Sequence, residues 1–325
     1  MLTTIFRRLV QTVAVVLVMS ALVFAGLYLI GDPVSMLASP EATEAERELI
    51  RQNFGLNLPL WRQYAIFLGK AVQMDFGASF LTGEPAMVLI LERMPATLEL
   101  ATLAMLLAFV IGVPLGVYAG LKPNSLGARA VMGGSVLGFS LPNFWVGLMF
   151  IMLFAVLFGW FPAGGRGPLQ WVGPIQLSVF SADGLRHLIL PAATIAVAKC
   201  ALIIRVTRAA TRECLPQDYI RFARAKGLHE KRVLGVHLLK NILIPIVTIG
   251  GLEYGQVIAF AVVTETVFSW PGMGKLLIDS IITLDRPVVV AYLMLTVVFL
   301  ALLNLVVDIA YTVLDPRVRI QGAAA

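Results

Sequence analysis

From Leu9 to Ile30 the chain runs through 22 residues without one charged side chain. A membrane-spanning helix needs about 20 such residues. The run is too long for a signal-peptide core, and no small-x-small cleavage site follows it. Arg7 and Arg8 stand in front of it as a topology anchor and place its start in the cytoplasm. Comparable apolar runs recur at about 96–119, 129–158, 187–204, 242–263 and 287–314. Hydrophobic residues make up 59% of the 325, against roughly 45–50% in a soluble chain. Six spans in an all-α integral membrane protein, with both termini cytoplasmic, is the expected architecture.

The connections fit that topology. Residues 31–95 carry five Lys/Arg and eight Asp/Glu, a negative balance suited to the outer side. The stretch 41–51 (EATEAERELIR) reads as a short helix. The stretch NFGLNLPLWRQYAIFLGKAV reads as a second, with Trp61 and Tyr64 at headgroup level. Pro95 suits the first position of the second span, and Lys122 and Arg129 mark a short inner loop. The third segment, Arg129 to Phe158, spans 30 residues, about 45 Å as a straight helix. It must tilt or break, and Pro142 is the obvious place; Gly133, Gly134, Ser135 and Gly138 invite close helix approach. Residues 159–186 form an outer loop. Residues 264–286 are too polar for a span, and Arg317 and Arg319 follow the last one on the inside.

The most informative polar stretch is Arg205 to Pro245, with nine Lys/Arg against three acids between two spans. Its charge places it in the cytoplasm. It also has shape. Pro216 suits a first helical position and Asp218 favours the positive end of the helix dipole. Tyr219, Phe222 and Ala223 follow at i, i+3, i+4 as one apolar face, with Arg221 and Arg224 off it. Gly227 can end the helix in the left-handed conformation, with Leu228 as the apolar C-cap contact. A helix of two to three turns results, on the inner membrane face. It cannot bury that face alone and needs lipid or a partner protein.

Several chemistries are excluded. The net charge of +6 sits between spans on one side, which argues against nucleic acid. Cys200 and Cys214 fall at a span end and in the cytoplasmic loop, where a structural disulfide is not expected. Three dispersed His give no metal site. GMGK at Gly272–Lys275 is no Walker loop, because Ser269 stands where a Gly is required and Leu276 where Ser or Thr is. No catalytic constellation is present. Intramembrane ionisable groups are functional candidates because lipid penalises them. Lys199 and Arg205 lie near the inner end and can snorkel. Glu253, well inside the fifth span, either lines a translocation path or pairs with a polar group on a neighbouring helix. Glu99 and Glu265 lie near the outer face, solvated or touching a delivery protein, and are further path candidates. Asp308 and Asn304, one turn apart, suit a helix–helix hydrogen bond.

DYIRFARAKGL (Asp218–Leu228) followed by HLLKNILIP resembles the cytoplasmic loop of permeases of the dipeptide/oligopeptide/nickel group of ABC importers. GDP (Gly31–Pro33), FGLNLPL, DFGASF, ERMPATLEL, TETVFSWPG and LDPRVR extend the resemblance over essentially the whole chain. Arg221 and Phe222 stand where the general family loop has Glu and the first Ala, whereas Ala223 and Gly227 remain; the ARAKG variant (Ala223, Arg224, Ala225, Lys226, Gly227) looks typical of the peptide branch. The resemblance implies a type I ABC importer permease fold in a bacterial inner membrane: 1–95 as first helix plus extracytoplasmic segment, 96–314 as permease core with a coupling helix at about 216–227, and 315–325 as cytoplasmic tail. It implies that Asp218, Tyr219, Phe222, Ala223, Arg224, Ala225, Lys226 and Gly227 dock on an ATPase. It further implies a second, homologous permease, two ATPase subunits that bind ATP and Mg, an extracytoplasmic solute-binding protein, surrounding lipid and no cofactor on this chain. Peptides are the expected cargo, with glutathione or a nickel chelate as alternatives. From another class, a proton-coupled secondary transporter would use Glu253 or Glu265 as relay.

Overall fold

The computed structural model describes residues 2–29, 43–53 and 57–314. The GDP motif and all but the first residue of LDPRVR, with Arg317 and Arg319, lie outside the described residues. So does the side chain of Asp308. Among the described residues, five helices are long and apolar enough to cross a membrane: α1 (Leu2–Leu29), α4 (Ala86–Leu121), α7 (Ala182–Cys214), the run Glu230–Phe260 that contains α9 (Leu239–Phe260), and α12 (Arg286–Leu314). A sixth apolar segment is α5 (Leu126–Ser140) followed by α6 (Asn143–Phe150), which continues as a π-helical turn to Leu157.

The break in that sixth segment is sharp. The two halves meet at 105°, and Pro142 stands at the N-cap of the second with ψ 134°. A proline there donates nothing and disfavours helical geometry in the residue before it. At Pro95 the sequence expectation is corrected. The helix starts at Ala86 and carries Pro95 and Pro114 in its interior, as membrane helices tolerate. α7 likewise outruns the expected 187–204. It begins behind Ser181, whose hydroxyl accepts from the Gly184 amide at 2.9 Å, and carries Arg205, Arg208 and Arg212 on its last turns. Cys200 and Cys214 are free thiols on this one helix, about 21 Å apart along its axis.

The chain divides into two compact units, Arg93–Leu276 with Leu303–Ala325 and Leu2–Glu92 with Leu277–Leu302. In the first, α4 meets α7 along Gly112, Gly116 and Gly120, a small-residue stripe at i, i+4, i+8. A Cβ on Gly116 would stand 2.5 Å from the Thr207 Cβ and 2.8 Å from the Ile204 carbonyl. Only hydrogen fits. Gly133 and Gly134, where close approach was expected, have nothing within 4 Å of an added Cβ; Gly138 does meet Val197 at 3.2 Å.

In the second unit α3 (Leu60–Val72) packs on α1. Ser20, fully buried, shares a 2.7 Å hydrogen bond with the Tyr64 hydroxyl, and the Phe24 ring lies 5.4 Å from that of Tyr64 and 5.7 Å from that of Phe67. Tyr64 therefore serves helix packing, whereas Trp61 is exposed. α2 (Glu44–Asn53) opens with a capping box: the Thr43 amide donates to Glu46 at 2.8 Å and the Glu46 amide to the Thr43 hydroxyl at 3.4 Å. Asp285, buried, grips the DFGASF loop, accepting from the Ser79 hydroxyl at 2.5 Å and the Phe80 amide at 3.1 Å.

Candidate functional site

The cytoplasmic stretch folds as α8 (Asp218–Ala225) between the end of α7 and the lead-in to α9. Its start is corrected: Gln217 is the N-cap and Pro216 lies outside the helix. Its end is as the sequence requires. Gly227 has φ +73°, its amide donates to the Arg224 carbonyl at 2.9 Å, and the Leu228 amide reaches the Ala223 carbonyl at 3.3 Å. That pair of bonds is a Schellman cap, and Leu228 packs on the local core as its apolar contact.

The faces of α8 require a second correction. It does bury a face within its own chain. Ile220 and Ala223 are sealed in a core with Ala210 of α7, Val233 and Leu238 of the lead-in, and Ile242 and Ile246 of α9. Burying Ile220 alone contributes about 1.5–3 kcal/mol. Ala223 is therefore not on the docking face with Tyr219 and Phe222. Those two, with Ala225 and Lys226, face outward, and Phe222 is 62% exposed. The Lys226 ammonium lies 4.6 Å above the Phe222 ring, and Arg224 pairs with Glu230 at 2.8 Å. The expected face joined Ala223 to Tyr219 and Phe222; the buried stripe is instead Ile220 with Ala223.

At the other end of the spans, the PATLEL and TETVFSWPG motifs bind each other. α10 (Val262–Val267) and α11 (Met273–Ile282) flank a turn that holds Phe268 and Trp270, both almost fully buried. The Trp270 indole donates to the Ala96 carbonyl at 2.9 Å. The Thr97 hydroxyl donates to Glu265 at 2.6 Å and accepts from the Met273 amide at 2.8 Å. The other Glu265 oxygen accepts from the Lys275 amide at 2.9 Å. A Cβ on Gly272 would stand 2.2 Å from the Glu265 carboxylate. GMGK thus wraps an anion, but the anion is the chain's own glutamate. Burial pushes the Glu265 carboxyl above its usual range, against the pull of these donors.

Glu99 is enclosed as well. Its carboxylate meets Arg166 at 2.8 Å and accepts from the Ser178 amide at 2.7 Å, the Ser178 hydroxyl at 3.0 Å and the Val179 amide. Arg166 also donates to the Gln176 carbonyl at 3.0 Å and lies over the Trp270 ring at 5.8 Å. This ties down the hairpin β1 (Gln170–Val172) and β2 (Ile175–Leu177), which lies within the outer loop expected at 159–186. The expectation of solvated Glu99 and Glu265 is thus corrected: they are 8% and 0% exposed.

Glu253 pairs with Lys199 of α7 at 2.5 Å, both side chains mostly buried. That is the second of the two roles open for it in sequence, and it replaces snorkelling for Lys199. Arg205 sits 4.4 Å over the Phe139 ring. No group of three His, Cys, Asp or Glu among the described residues is placed to hold a metal.

Comparison with known proteins sets this geometry in context. The model for the binding-protein-dependent transport system inner membrane component matches residues 112–320, and the model for the N-terminal part of such membrane components matches residues 1–101. The oligopeptide transport system permease protein AppB of Bacillus subtilis is 40% identical over 317 residues, covering 97% of this chain and 98% of its own. The di/tripeptide transport system permease protein DppB of Pseudomonas aeruginosa is 42% identical over 335 residues, covering 99% and 100%. The glutathione transport system permease protein GsiC of Escherichia coli is 37% identical over 320 residues, covering 98% and 99%. Among solved structures, a chain of the MetNI methionine ABC transporter in an inward-facing conformation aligns with TM-score 0.57 at 19% identity, over 70% of this chain and 97% of that one.

Proposed function

The chain belongs to the family of binding-protein-dependent transport system inner membrane components, and from that premise we propose that it forms half of a path for di- and oligopeptides into the cell, driven by ATPases on other subunits. It is an inner-membrane component of a bacterial ABC transporter. The cargo reading rests on relatives that are named for oligopeptides and di/tripeptides and match over nearly their full length. A relative named for glutathione extends the cargo to small peptides in the broad sense. The proton-coupled alternative is not supported: Glu253 is ion-paired to Lys199, and Glu265 is sealed among donors of its own chain.

In this reading the bent pair α5–α6 counts as one span, giving six with both termini inside. A second permease of the same fold completes the path, two ATPase subunits bind ATP and Mg on the cytoplasmic side, and a solute-binding protein delivers cargo outside. No cofactor is held by this chain. α8 is the coupling element, Asp218 at its start and Gly227 at its end, with Tyr219, Phe222, Ala225 and Lys226 toward the ATPase and Arg224 fixed to Glu230. Of the carboxylates, we retain Glu253, together with Lys199, as the path candidate; Glu99 and Glu265 act as scaffold.

One observation carries the mechanism. Ile220 and Ala223 rivet α8 to the end of α7 and the start of α9, so a push on α8 moves both spans together. If the ATPases bind ATP more tightly in one conformation, that difference in affinity shifts the permease equilibrium, and α8 is where it is transmitted. The test is co-purification of the assembled transporter from mild detergent. Phe222→Asp is expected to lose the ATPases and stop ATP-dependent peptide uptake while the permease stays folded. Retention of the ATPases by a folded Phe222→Asp chain would remove α8 as the docking site.

A further inference from the structure

We propose that Arg286 and the cavity beneath it form a binding site for the phosphate headgroup and one acyl chain of a membrane phospholipid. Arg286 is 8% exposed, and none of its three guanidinium nitrogens has a hydrogen-bond partner. A guanidinium cannot shed its proton, so burial leaves it a cation that bears its desolvation in full unless an anion meets it. The adjacent carboxylate does not serve. Asp285 spends its oxygens on Ser79 and Phe80.

Arg286 lines a cavity of about 410 Å³, the size range of small-molecule pockets. It lies wholly within one compact unit, between α1 and the segment that runs from the end of α11 into α12. Leu22, Val23, Leu284, Val290 and Leu293 supply apolar walls, and Gly26 opens one side. Apart from Arg286, Ser280 is the polar side chain on that wall.

This chemistry selects the occupant. A peptide would bring an N–H and a C=O per residue, which such walls leave unsatisfied. An acyl chain brings none, and the phosphate supplies two non-bridging oxygens that a planar guanidinium can engage bidentately. The first turn of α12 and the last third of α1, both candidate spans, put the site at the end of a membrane helix, at the depth of a lipid phosphate. The proposal does not depend on the cargo.

The test is native mass spectrometry of the assembled transporter released from phosphatidylglycerol nanodiscs, followed by titration with phosphatidylglycerol, with diacylglycerol of the same chains, and with inorganic phosphate. The native chain is expected to retain phosphatidylglycerol about tenfold or more tightly than Arg286→Met, and diacylglycerol is expected not to substitute. Gly26→Phe is the second variant, because it fills the cavity and leaves Arg286 in place. An added Cβ there meets nothing within 4 Å, so the chain is expected to fold and lose the lipid. Equal retention by Arg286→Met, unchanged retention by Gly26→Phe, diacylglycerol binding as tightly as the phospholipid, or phosphate alone displacing it at equal affinity would each overturn the proposal.

Discussion

Thr97 and Glu265, 168 residues apart in the sequence, share a 2.6 Å hydrogen bond in the interior. The same hydroxyl caps the first amide of α11, so one threonine joins α4, α10 and the turn around Trp270. Removing it leaves a buried carboxylate oxygen and a buried amide without their partner. Thr97→Val is expected to lower stability by about 1–3 kcal/mol for each group left unsatisfied, read as a drop in the melting temperature of the purified chain in detergent.

Glu265 also sets a pH dependence. Its carboxyl is raised by burial, and it stands past Phe260, where the candidate span Glu230–Phe260 ends. The folded state therefore binds this proton more tightly than the unfolded state. The stability it contributes is fully present below the ordinary carboxyl value and is lost as pH rises through the raised one. Melting temperature against pH should fall across that window in the native chain, and the fall should be shallower in Glu265→Gln, which does not titrate. An equal slope in both would show that other groups control it.

Of Gly112, Gly116 and Gly120, Gly116 makes the tightest approach of α4 to α7. With backbone oxygen and a Thr207 carbon inside 3 Å of an added Cβ, Gly116→Ala must push the helices apart, at about 1–3 kcal/mol. Gly133→Ala is the control: open space awaits its methyl, and helix propensity gains up to about 1 kcal/mol. Opposite shifts in thermal unfolding are expected for the two.

On α8, Ala223→Glu forces an acid into the core that holds Ile220 and is expected to melt the loop and lower stability. Phe222→Ala, outward, should change stability by no more than about 0.5 kcal/mol. Limited proteolysis between Arg212 and Lys231 reads the difference. Rapid cleavage should appear in the first variant and native resistance in the second.

For Lys199 and Glu253, one partner removed leaves a mostly buried charge alone. Lys199→Met and Glu253→Gln should each destabilise, by up to about 3–5 kcal/mol where the group is fully desolvated and less at the partial exposure here. The double variant should be less harmful than the sum of the singles. Thermal melts of the four proteins close the cycle, and strict additivity would show that the pair does not interact.

The long helices follow from local composition. In hydrocarbon each backbone group must be satisfied inside its own segment, so an uncharged 22-residue run such as Leu9–Ile30 leaves the chain little choice. The sequence likewise dictates the break at Pro142 and the left-handed cap at Gly227, because proline and glycine act locally through their own φ angles. What it left open depended on neighbours far along the chain. Periodicity finds an apolar face but not its occupant: protein and lipid are both apolar, so Ile220 and Phe222 read alike until α7 and α9 enclose one and not the other. The same holds for charge. Depth set Glu253 apart from Glu99 and Glu265 in the sequence, but no partner was legible for any of them: Arg166, Lys199 and Thr97 stand far along the chain, and folding brings each to its carboxylate.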